Sequence, residues 1–300
     1  MSRNRRRLSL REELGGYLYI LPLLAVLAFL DFYPIAYSIL ISFSNLDYLN
    51  ILKPLQIVGL RNYYTIVASG MLWKLLYQTT IWSLGSVAIM GPLGFVIALV
   101  INQRGLKGKT AYRTAILVPW AFPAFITILV WQGMLNLNYG IVNRMLNLIG
   151  IGSVNWLGTP GNAMLSMILV NVWLSFPYYT FVYTSAMQSL PAELLDAAEM
   201  DGYGIFGRLR RIIIPMLSRQ IAFITIFGFI FTWNNFYIPF LLTSGGPGTS
   251  TQILITYSYV SAFDYYNYGI AAAYAVISII ILVIFVVVVN KMTKMMSVLY

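Results

Sequence analysis

The chain has 300 residues, of which 59% are hydrophobic and only 9% are charged, so it lacks the charged surface of a water-soluble domain and is expected in a lipid bilayer. It contains no cysteine and no histidine, which excludes disulfides and thiolate metal sites and removes the commonest general base of enzymes. The net charge of +10 raises the alternative of a nucleic-acid partner, which the positions of the basic residues test.

Six apolar stretches are each long enough to cross a bilayer, which takes about 20 apolar residues. They run from Tyr17 to Phe43, Leu75 to Ile101, Ala111 to Leu137, Ala163 to Gln188, Gln220 to Thr243 and Tyr268 to Asn290. The predicted fold class is therefore an all-α integral membrane protein with six transmembrane helices. Residues 17–300 form one transmembrane domain, preceded by a tail of residues 1–16.

Prolines fall inside five of the predicted spans, at Pro34, Pro92, Pro119, Pro123, Pro177 and Pro239. Kinked helices are expected there, either because the bundle moves around a pathway or because neighbouring helices satisfy the freed carbonyls in ordinary packing. Asp31 lies in the first span, where a carboxylate is costly in lipid. Its side chain is therefore expected to face protein or water and to have a structural role.

The orientation follows from the basic residues, because positively charged loops are retained in the cytoplasm. Of the nineteen Lys and Arg residues, five lie in the N-terminal tail, four in residues 102–113, four in residues 208–219 and two near the C-terminus. Only Lys53, Arg61, Lys74 and Arg144 lie on the opposite side. Both termini are therefore predicted to be cytoplasmic, and the basic charge reflects topology, so no nucleic-acid partner is expected.

The loop between the fourth and fifth spans, residues 189–218, gathers acids and arginines in the sequence DAAEMDGYGIFGRLRRIIIP. Ser189 and Pro191 favour a helix start, acidic residues favour its first half, and Gly202 favours its end. Such a helix has about 11 residues and a length of roughly 16 Å. It is too short to cross the bilayer and is expected to lie along the cytoplasmic face. The alternative is a solvated connector whose charges only keep it in water.

The spacing in this loop resembles the "EAA" loop of ATP-binding-cassette importer permeases. That pattern is Glu-Ala-Ala, three residues, Gly, nine residues, Ile, one residue, Leu and Pro; here Asp196 replaces Glu and Ile214 replaces Leu. The resemblance implies the type I ABC importer permease fold, in which the short helix couples the permease to an ATPase subunit. It assigns to this coupling loop the residues Glu193, Asp196, Ala197, Ala198, Asp201, Gly202, Ile212 and Pro215.

A second stretch, Leu242 to Leu254, resembles the Leu-Thr-x-Gly-Gly-Pro loop of carbohydrate-uptake permeases of the maltose and glycerol-phosphate type. Gly-Gly-Pro alone is only a turn signal. Together with the coupling loop it identifies a member of the family of binding-protein-dependent inner-membrane components, with a core of about residues 75–290. The resemblance implies that Gly245, Gly246 and Pro247 face a solute-binding protein.

Family membership implies an importer complex in the plasma membrane of a bacterium or an archaeon. Its predicted members are this chain, a second homologous permease, two ATP-binding subunits that carry MgATP and an extracytoplasmic solute-binding protein. The chain has no glycine-rich phosphate loop followed by Lys-Ser or Lys-Thr, so it is expected to hold no cofactor and to catalyse no reaction itself. A neutral mono- or oligosaccharide is favoured over glycerol phosphate, because no arginine lies inside a span.

Two clusters combine the polar groups and aromatic faces that a sugar site needs. The fifth span contributes Trp233, Asn234, Asn235 and Tyr237, and the fourth contributes Asn171, Trp173, Tyr178, Tyr179 and Tyr183. The predicted substrate pathway takes Asn171 and Tyr178 from the fourth-span cluster. For the asparagines the alternative is an interhelical hydrogen bond, and for the aromatic residues a place in the interfacial belt.

Two other function classes remain open at this point. A membrane enzyme would hold Mg²⁺ on Glu193, Asp196, Glu199 and Asp201, but it would leave the Gly and Pro positions unexplained. A channel or ion-driven transporter would place ionisable residues within the membrane, where Asp31 is almost alone.

Overall fold

The computed structural model describes residues 10–103 and 105–293, which form fifteen helices joined by turns and loops. Parts of the predicted tail and C-terminus, residues 1–9 and 294–300, lie outside them. The first seven helices are α1 (Leu10–Leu27), α2 (Tyr33–Ser42), α3 (Arg61–Ala68), α4 (Met71–Ile101), α5 (Lys109–Ile116), α6 (Ala124–Met134) and α7 (Ile141–Leu148). The other eight are α8 (Pro160–Gln188), α9 (Ala192–Met200), α10 (Ile205–Arg208), α11 (Ile214–Met216), α12 (Ser218–Trp233), α13 (Tyr237–Thr243), α14 (Leu254–Phe263) and α15 (Tyr268–Thr293).

Four helical stretches among the described residues are long and apolar enough to cross a membrane: Tyr19–Ser42, Met71–Ile101, Pro160–Gln188 and Tyr268–Lys291. A fifth span results only if Ile205–Met216 and Ser218–Trp233, which meet at a bend of 69°, are counted as one. The chain is therefore a multi-pass, all-helical protein. The count of six spans stays a prediction.

The predicted third span, 111–137, is not one continuous helix, and it is interrupted at the two prolines where the sequence predicts a kink. Helix α5 ends at Ile116, a 3₁₀ turn follows at Val118–Trp120, and α6 begins only at Ala124. Two prolines cause the break: Pro119 is the second residue of the 3₁₀ turn, and Pro123 has an extended backbone (ψ 135°) just before α6. A proline has no N–H to donate, and its ring disfavours helical backbone in the residue before it.

The predicted fifth span is also interrupted, because α12 ends at Trp233 and α13 begins at Tyr237. Asn234 and Asn235 form the break between them, and the Asn235 side chain accepts a hydrogen bond from the Ile238 N–H at the start of α13. The first span is helical throughout but contains a π-helical turn at Ala28–Phe32. Distortions of this kind are where helices usually bend.

The centre of the bundle is the contact between α4 and α8. At Gly94 in α4 a β-carbon would lie 2.5 Å from the Tyr179 Cβ and 2.9 Å from the Thr180 backbone nitrogen, so only glycine permits this approach. Helix α12 joins the pair through the indole N–H of Trp82, which donates to the Thr232 carbonyl oxygen at 2.9 Å. Close approach at a small residue holds helices together in lipid, as Gly94 does for α4 and α8.

The first span stands apart from this bundle. None of the residues in its most apolar stretch is buried within the chain, although α2 packs beside α15. Asp31 lies in the π-helical turn and is exposed. Among the described residues of this chain, no segment buries the Asp31 carboxylate.

Candidate functional site

The predicted coupling loop forms a compact unit, residues 192–217, which we call the Asp-Ala-Ala segment. Its first helix is α9, and Gly202 ends that helix with a φ of +81°, as the sequence predicts for a glycine stop. The Gly202 N–H donates to the Glu199 carbonyl (3.0 Å) and the Tyr203 N–H donates to the Ala198 carbonyl (2.9 Å). These two bonds form a Schellman motif, which satisfies carbonyls that the helix end leaves open.

Most of the predicted coupling residues lie on the surface of this segment. Glu193, Asp196, Ala197, Asp201, Gly202 and Pro215 are exposed, Ile212 is half-buried and Ala198 is buried. Large apolar side chains protrude beside them: Met200 is 88% exposed, Phe206 85% and Ile205 68%. The described part of this chain leaves these three side chains uncovered.

Two arginines fold the second half of the segment back onto the first. The Arg208 Nη1 atom lies 2.7 Å from the Glu199 carboxylate, and the Arg211 Nη1 donates to the Tyr203 hydroxyl oxygen at 2.8 Å. The Arg211 guanidinium carbon also lies 5.1 Å from the centre of the Tyr203 ring, within cation–π range. The predictions from sequence did not include these pairs, because nothing in the spacing marks residues eight or nine apart as partners across a turn.

A cavity of about 240 Å³ lies between α4, α8, α12 and the 3₁₀ turn at Val118–Trp120. It combines aromatic faces with hydroxyl and amide groups. Its walls are Met90, Trp120, Asn171, Leu174, Ser175, Tyr178, Tyr179, Phe227, Gly228, Phe231, Thr232 and Asn235.

Three of the six predicted pathway residues line this cavity: Asn171, Tyr178 and Asn235. Asn171 also makes the interhelical bond that was its alternative role, since its Nδ2 lies 3.4 Å from the Thr232 hydroxyl. Its Oδ1 accepts a bond from the Ser175 hydroxyl at 3.2 Å. The amide is therefore held in place by α8 and α12 at the wall of the cavity.

The other three predicted pathway residues lie elsewhere. Trp233 is buried, and its indole N–H donates to the Ser278 hydroxyl of α15 at 2.8 Å, which is a packing role. The Asn234 amide donates back to the Ile230 carbonyl at 3.0 Å. Tyr237 is exposed on a separate apolar groove between α6 and α13. Of the other fourth-span candidates, Trp173 packs edge-on against Trp131, and Tyr183 packs edge-on against Phe95.

Sequence reasoning did not select several residues that shape the cavity. Phe227 and Phe231 follow the i, i+4 spacing along one face of α12, but Phe223 shares that spacing without lining the cavity, so the spacing alone does not select them. Trp120 reaches the cavity because the third span breaks beside it. Tyr179 is buried, and its hydroxyl has no hydrogen-bond partner among the described residues. A β-carbon at Gly228 would collide with that hydroxyl, so the glycine makes room for it.

The Gly-Gly-Pro loop, residues 243–253, lies against the N-terminal end of α4 and is closed by several hydrogen bonds. The Lys74 ammonium donates to the Thr249 hydroxyl at 2.6 Å, and the Gln78 amide donates to the Thr249 carbonyl at 3.0 Å. Inside the loop the Thr251 hydroxyl donates to the Gly246 carbonyl at 2.7 Å. The predicted binding residues Gly246 and Pro247 are half-buried, whereas Gly245 is buried.

The acidic residues of the Asp-Ala-Ala segment do not assemble a metal site. Among the described residues, no group of three or more acidic side chains lies close enough to hold an ion. Glu199 is instead engaged with Arg208. The described residues therefore do not form the magnesium site that the alternative of a membrane enzyme requires.

Comparison with known proteins decides the family. A family model described as "Binding-protein-dependent transport system inner membrane component" matches residues 90–296. The chain belongs to this family. Permeases of this kind are non-catalytic transport subunits, so the expectation that the chain is not itself an enzyme is confirmed.

The permease is similar to several named relatives. It is 34% identical over 275 residues to the trehalose/maltose transport system permease protein MalF of Thermococcus litoralis, covering 91% of each chain. It is 33% identical to the galactooligosaccharides permease GanP of Bacillus subtilis, covering 87% of this chain and 66% of that one. For the maltose/maltodextrin permease MalF of Salmonella typhimurium the identity is 33%, covering 73% of this chain and only 46% of that one.

Solved structures confirm the fold. A bacterial ABC transporter that imports the acidic polysaccharide alginate contains a chain that superposes with a TM-score of 0.82 at 22% identity, covering 95% of this permease and 97% of that chain. A bacterial alginate ABC transporter solved in complex with a periplasmic protein bound to an alginate pentasaccharide also superposes with a TM-score of 0.82 at 22% identity, covering 95% of each chain. The predicted ABC importer permease fold is thereby confirmed.

Proposed function

We propose that this permease moves a neutral mono- or oligosaccharide through the cavity between α4, α8 and α12, driven by ATP hydrolysis on separate subunits. The observation that carries the proposal is the cavity wall, where Trp120, Phe227 and Phe231 offer ring faces and Asn171 and Asn235 offer amides. Sugars bind through stacking on their apolar faces together with hydrogen bonds to their hydroxyls. The relatives' names, which specify trehalose, maltose and galactooligosaccharides, support the same class of substrate.

The cavity is tested by two phenylalanines on one helix. Phe231 lines the cavity, whereas Phe223, two turns earlier on α12 and similarly exposed, does not. We expect Phe231→Ala to raise the sugar concentration that gives half-maximal uptake about tenfold, because the variant loses roughly 1.4 kcal/mol of stacking. Phe223→Ala is the matched control and is expected to leave it unchanged. Equal effects in the two variants, at equal amounts of assembled protein and across a panel of maltose, trehalose and galactose, would place the substrate elsewhere.

We propose that the Asp-Ala-Ala segment faces the cytoplasm and is held by an ATP-binding subunit that carries MgATP. Its exposed Met200 and Phe206 supply apolar contact area, and α9 ends at Gly202, where a β-carbon would meet nothing within 4 Å of this chain. A side chain placed there points toward whatever binds the segment. The cytoplasmic side rests on the distribution of Lys and Arg and predicts that a reporter fused after Tyr300 is cytoplasmic, whereas one inserted at Gly248 is outside.

Gly202→Asp tests this binding surface. The matched control is Gly150→Asp, because Gly150 has a similar φ of +79°, is exposed and has equally open surroundings, but follows α7 in a different loop. An aspartate strains the left-handed backbone equally at the two positions. A loss of ATPase binding or activity that occurs only in Gly202→Asp therefore indicates a partner that contacts Gly202. We expect only Gly202→Asp to reduce co-purification of the ATP-binding subunit or sugar-stimulated ATP hydrolysis. Unchanged values for both would favour the solvated connector.

We further propose a second homologous permease beside the first span, and a solute-binding protein on the Gly-Gly-Pro loop. The first span supports the former, because its most apolar stretch is unburied and carries the exposed Asp31 carboxylate, which is costly against lipid. The family description as binding-protein-dependent supports the latter. Purifying the tagged permease with its genomic neighbours and identifying the bound chains tests both partners.

A further inference from the structure

The Asp-Ala-Ala segment reverses direction at residues 201–204, so that α9 lies against the stretch from α10 to α11. Apart from the turns at its two ends, α9 is joined to this stretch by side chains. Glu199 and Arg208 form an ion pair at 2.7 Å. One turn farther along, Arg211 holds Tyr203 by a hydrogen bond of 2.8 Å and a cation–π contact.

These contacts are too exposed to contribute much to folding stability. The Arg208 side chain is 25% exposed and the Glu199 side chain 64% exposed, and ion pairs in such positions contribute about 0–1 kcal/mol. They affect the orientation of α9 more than the stability of the fold. One contact lies at the end of α9 and the other in the turn after it, so together they restrict rotation of α9 relative to the stretch from α10 to α11.

The stretch that receives these contacts leads directly to the cavity. Arg208 ends α10, Arg211 lies in the π-helical turn Leu209–Ile213, and α11 follows. The chain then bends by 69° around Leu217, which is buried, and continues as α12. Helix α12 carries Phe227, Gly228 and Phe231 of the cavity wall. A displacement of α9 that is passed to residues 205–216 therefore reaches the cavity through a single bend.

We propose that Glu199, Arg208, Tyr203 and Arg211 are positioning residues that make residues 192–216 one lever, which turns about Leu217 and passes movement of the ATP-binding subunit to α12. This inference rests on the proposed function and adds the residues that transmit the movement. It differs from the binding role of Gly202, since the four side chains act on one another within this chain.

Charge exchange in the assembled importer tests the lever. We compare Glu199→Arg, Arg208→Glu and the double exchange, and we measure ATP hydrolysis, sugar uptake and co-purification of the ATP-binding subunit. Each single exchange places like charges together, and we expect uptake per ATP hydrolysed to fall by about fivefold or more, while the ATP-binding subunit stays attached. The double exchange restores the pair and is expected to bring uptake per ATP back to within about twofold of the original.

Two further variants separate the lever from its alternatives. Arg210→Glu is the control, because Arg210 carries the same charge in the same turn but makes neither bridge. It is expected to keep uptake per ATP near the original value. Tyr203→Phe removes the hydroxyl bond but keeps the ring, so we expect a smaller loss than for Arg211→Ala, which removes both contacts.

Several results would overturn the proposal. They are unchanged uptake per ATP in both single exchanges, no recovery in the double exchange, or loss of the ATP-binding subunit from the single exchanges, which would mean that these residues bind the partner directly. Failure of the proposed function looks different: the original complex would then show no sugar-stimulated hydrolysis or no bound ATP-binding subunit before any substitution is made.

Discussion

The Asp-Ala-Ala segment and the Gly-Gly-Pro loop use the same backbone device in opposite surroundings. Gly202 and Gly245 both have left-handed backbone, with φ of +81° and +77°. Around Gly202 there is open space, whereas a β-carbon at Gly245 would collide with the side chain of Gln252. A glycine that ends a helix at a surface and a glycine that closes a buried loop therefore look alike in the sequence but tolerate substitution differently.

The two regions also differ in what holds them. The segment is joined by two exposed arginine contacts, at Glu199 and Tyr203. The loop is closed by backbone and threonine hydrogen bonds, and its residues Thr251 to Ile253 are buried. Buried bonds are costly to break and exposed ones are not, so we expect the loop to be a rigid platform and the segment to depend on its contacts for direction more than for stability.

The largest difference is expected at the two glycines. Gly245→Ala adds left-handed strain of about 1–2 kcal/mol and an overlap with Gln252 that costs about 1–3 kcal/mol more. The loop is therefore expected to lose its structure, which thermal unfolding of the purified complex reports as a clear fall in Tm. A Tm within one degree of the original would show that Gln252 moves aside freely and that the loop is not tightly packed.

Thr251→Val is the second test of the loop, since valine keeps the shape of threonine and removes only the hydroxyl. That hydroxyl donates to the Gly246 carbonyl and lies 2.7 Å from the Thr243 hydroxyl. Leaving these buried partners unpaired costs about 1–3 kcal/mol. We expect a smaller fall in Tm than for Gly245→Ala, and Thr225→Val on α12, whose hydroxyl is exposed, serves as the control.

Gly202→Ala is expected to have a moderate effect on stability, about 1–2 kcal/mol, because only the left-handed backbone is strained. Gly202→Asn is the milder comparison, since asparagine adopts this conformation more readily than alanine. Thermal unfolding in the absence of ATP-binding subunits isolates this intramolecular cost. A loss as large as that of Gly245→Ala would contradict the open surroundings of Gly202.

The smallest effect on stability is expected for Glu199→Gln, which removes one charge of the exposed pair. The free energy of unfolding should change by less than about 1 kcal/mol, and the change should shrink further at high salt. Chemical unfolding at two salt concentrations measures this. A loss that is large and independent of salt would show that Glu199 supports folding and would remove the distinction between the two regions.

The sequence by itself determined the class of the protein and its local signals. Its apolar stretches gave a membrane protein, and the spacing from Asp196 to Pro215 identified the family that comparison confirmed. The helix stop at Gly202 was also predictable, because a left-handed helix end favours glycine whatever surrounds it. Local rules of this kind need only neighbouring residues.

Only the tertiary structure decided which faces of the helices meet. Along α12 the sequence favoured Trp233, yet Trp233 packs against α15 while Phe227 and Phe231 line the cavity. In a soluble helix the polar residues mark the outer face, but in lipid the outer and inner faces are both apolar, so periodicity gives no direction. The bridge from Glu199 to Arg208 likewise depends on a contact across a turn. Contacts between helices and across turns, which no single stretch encodes, select these residues.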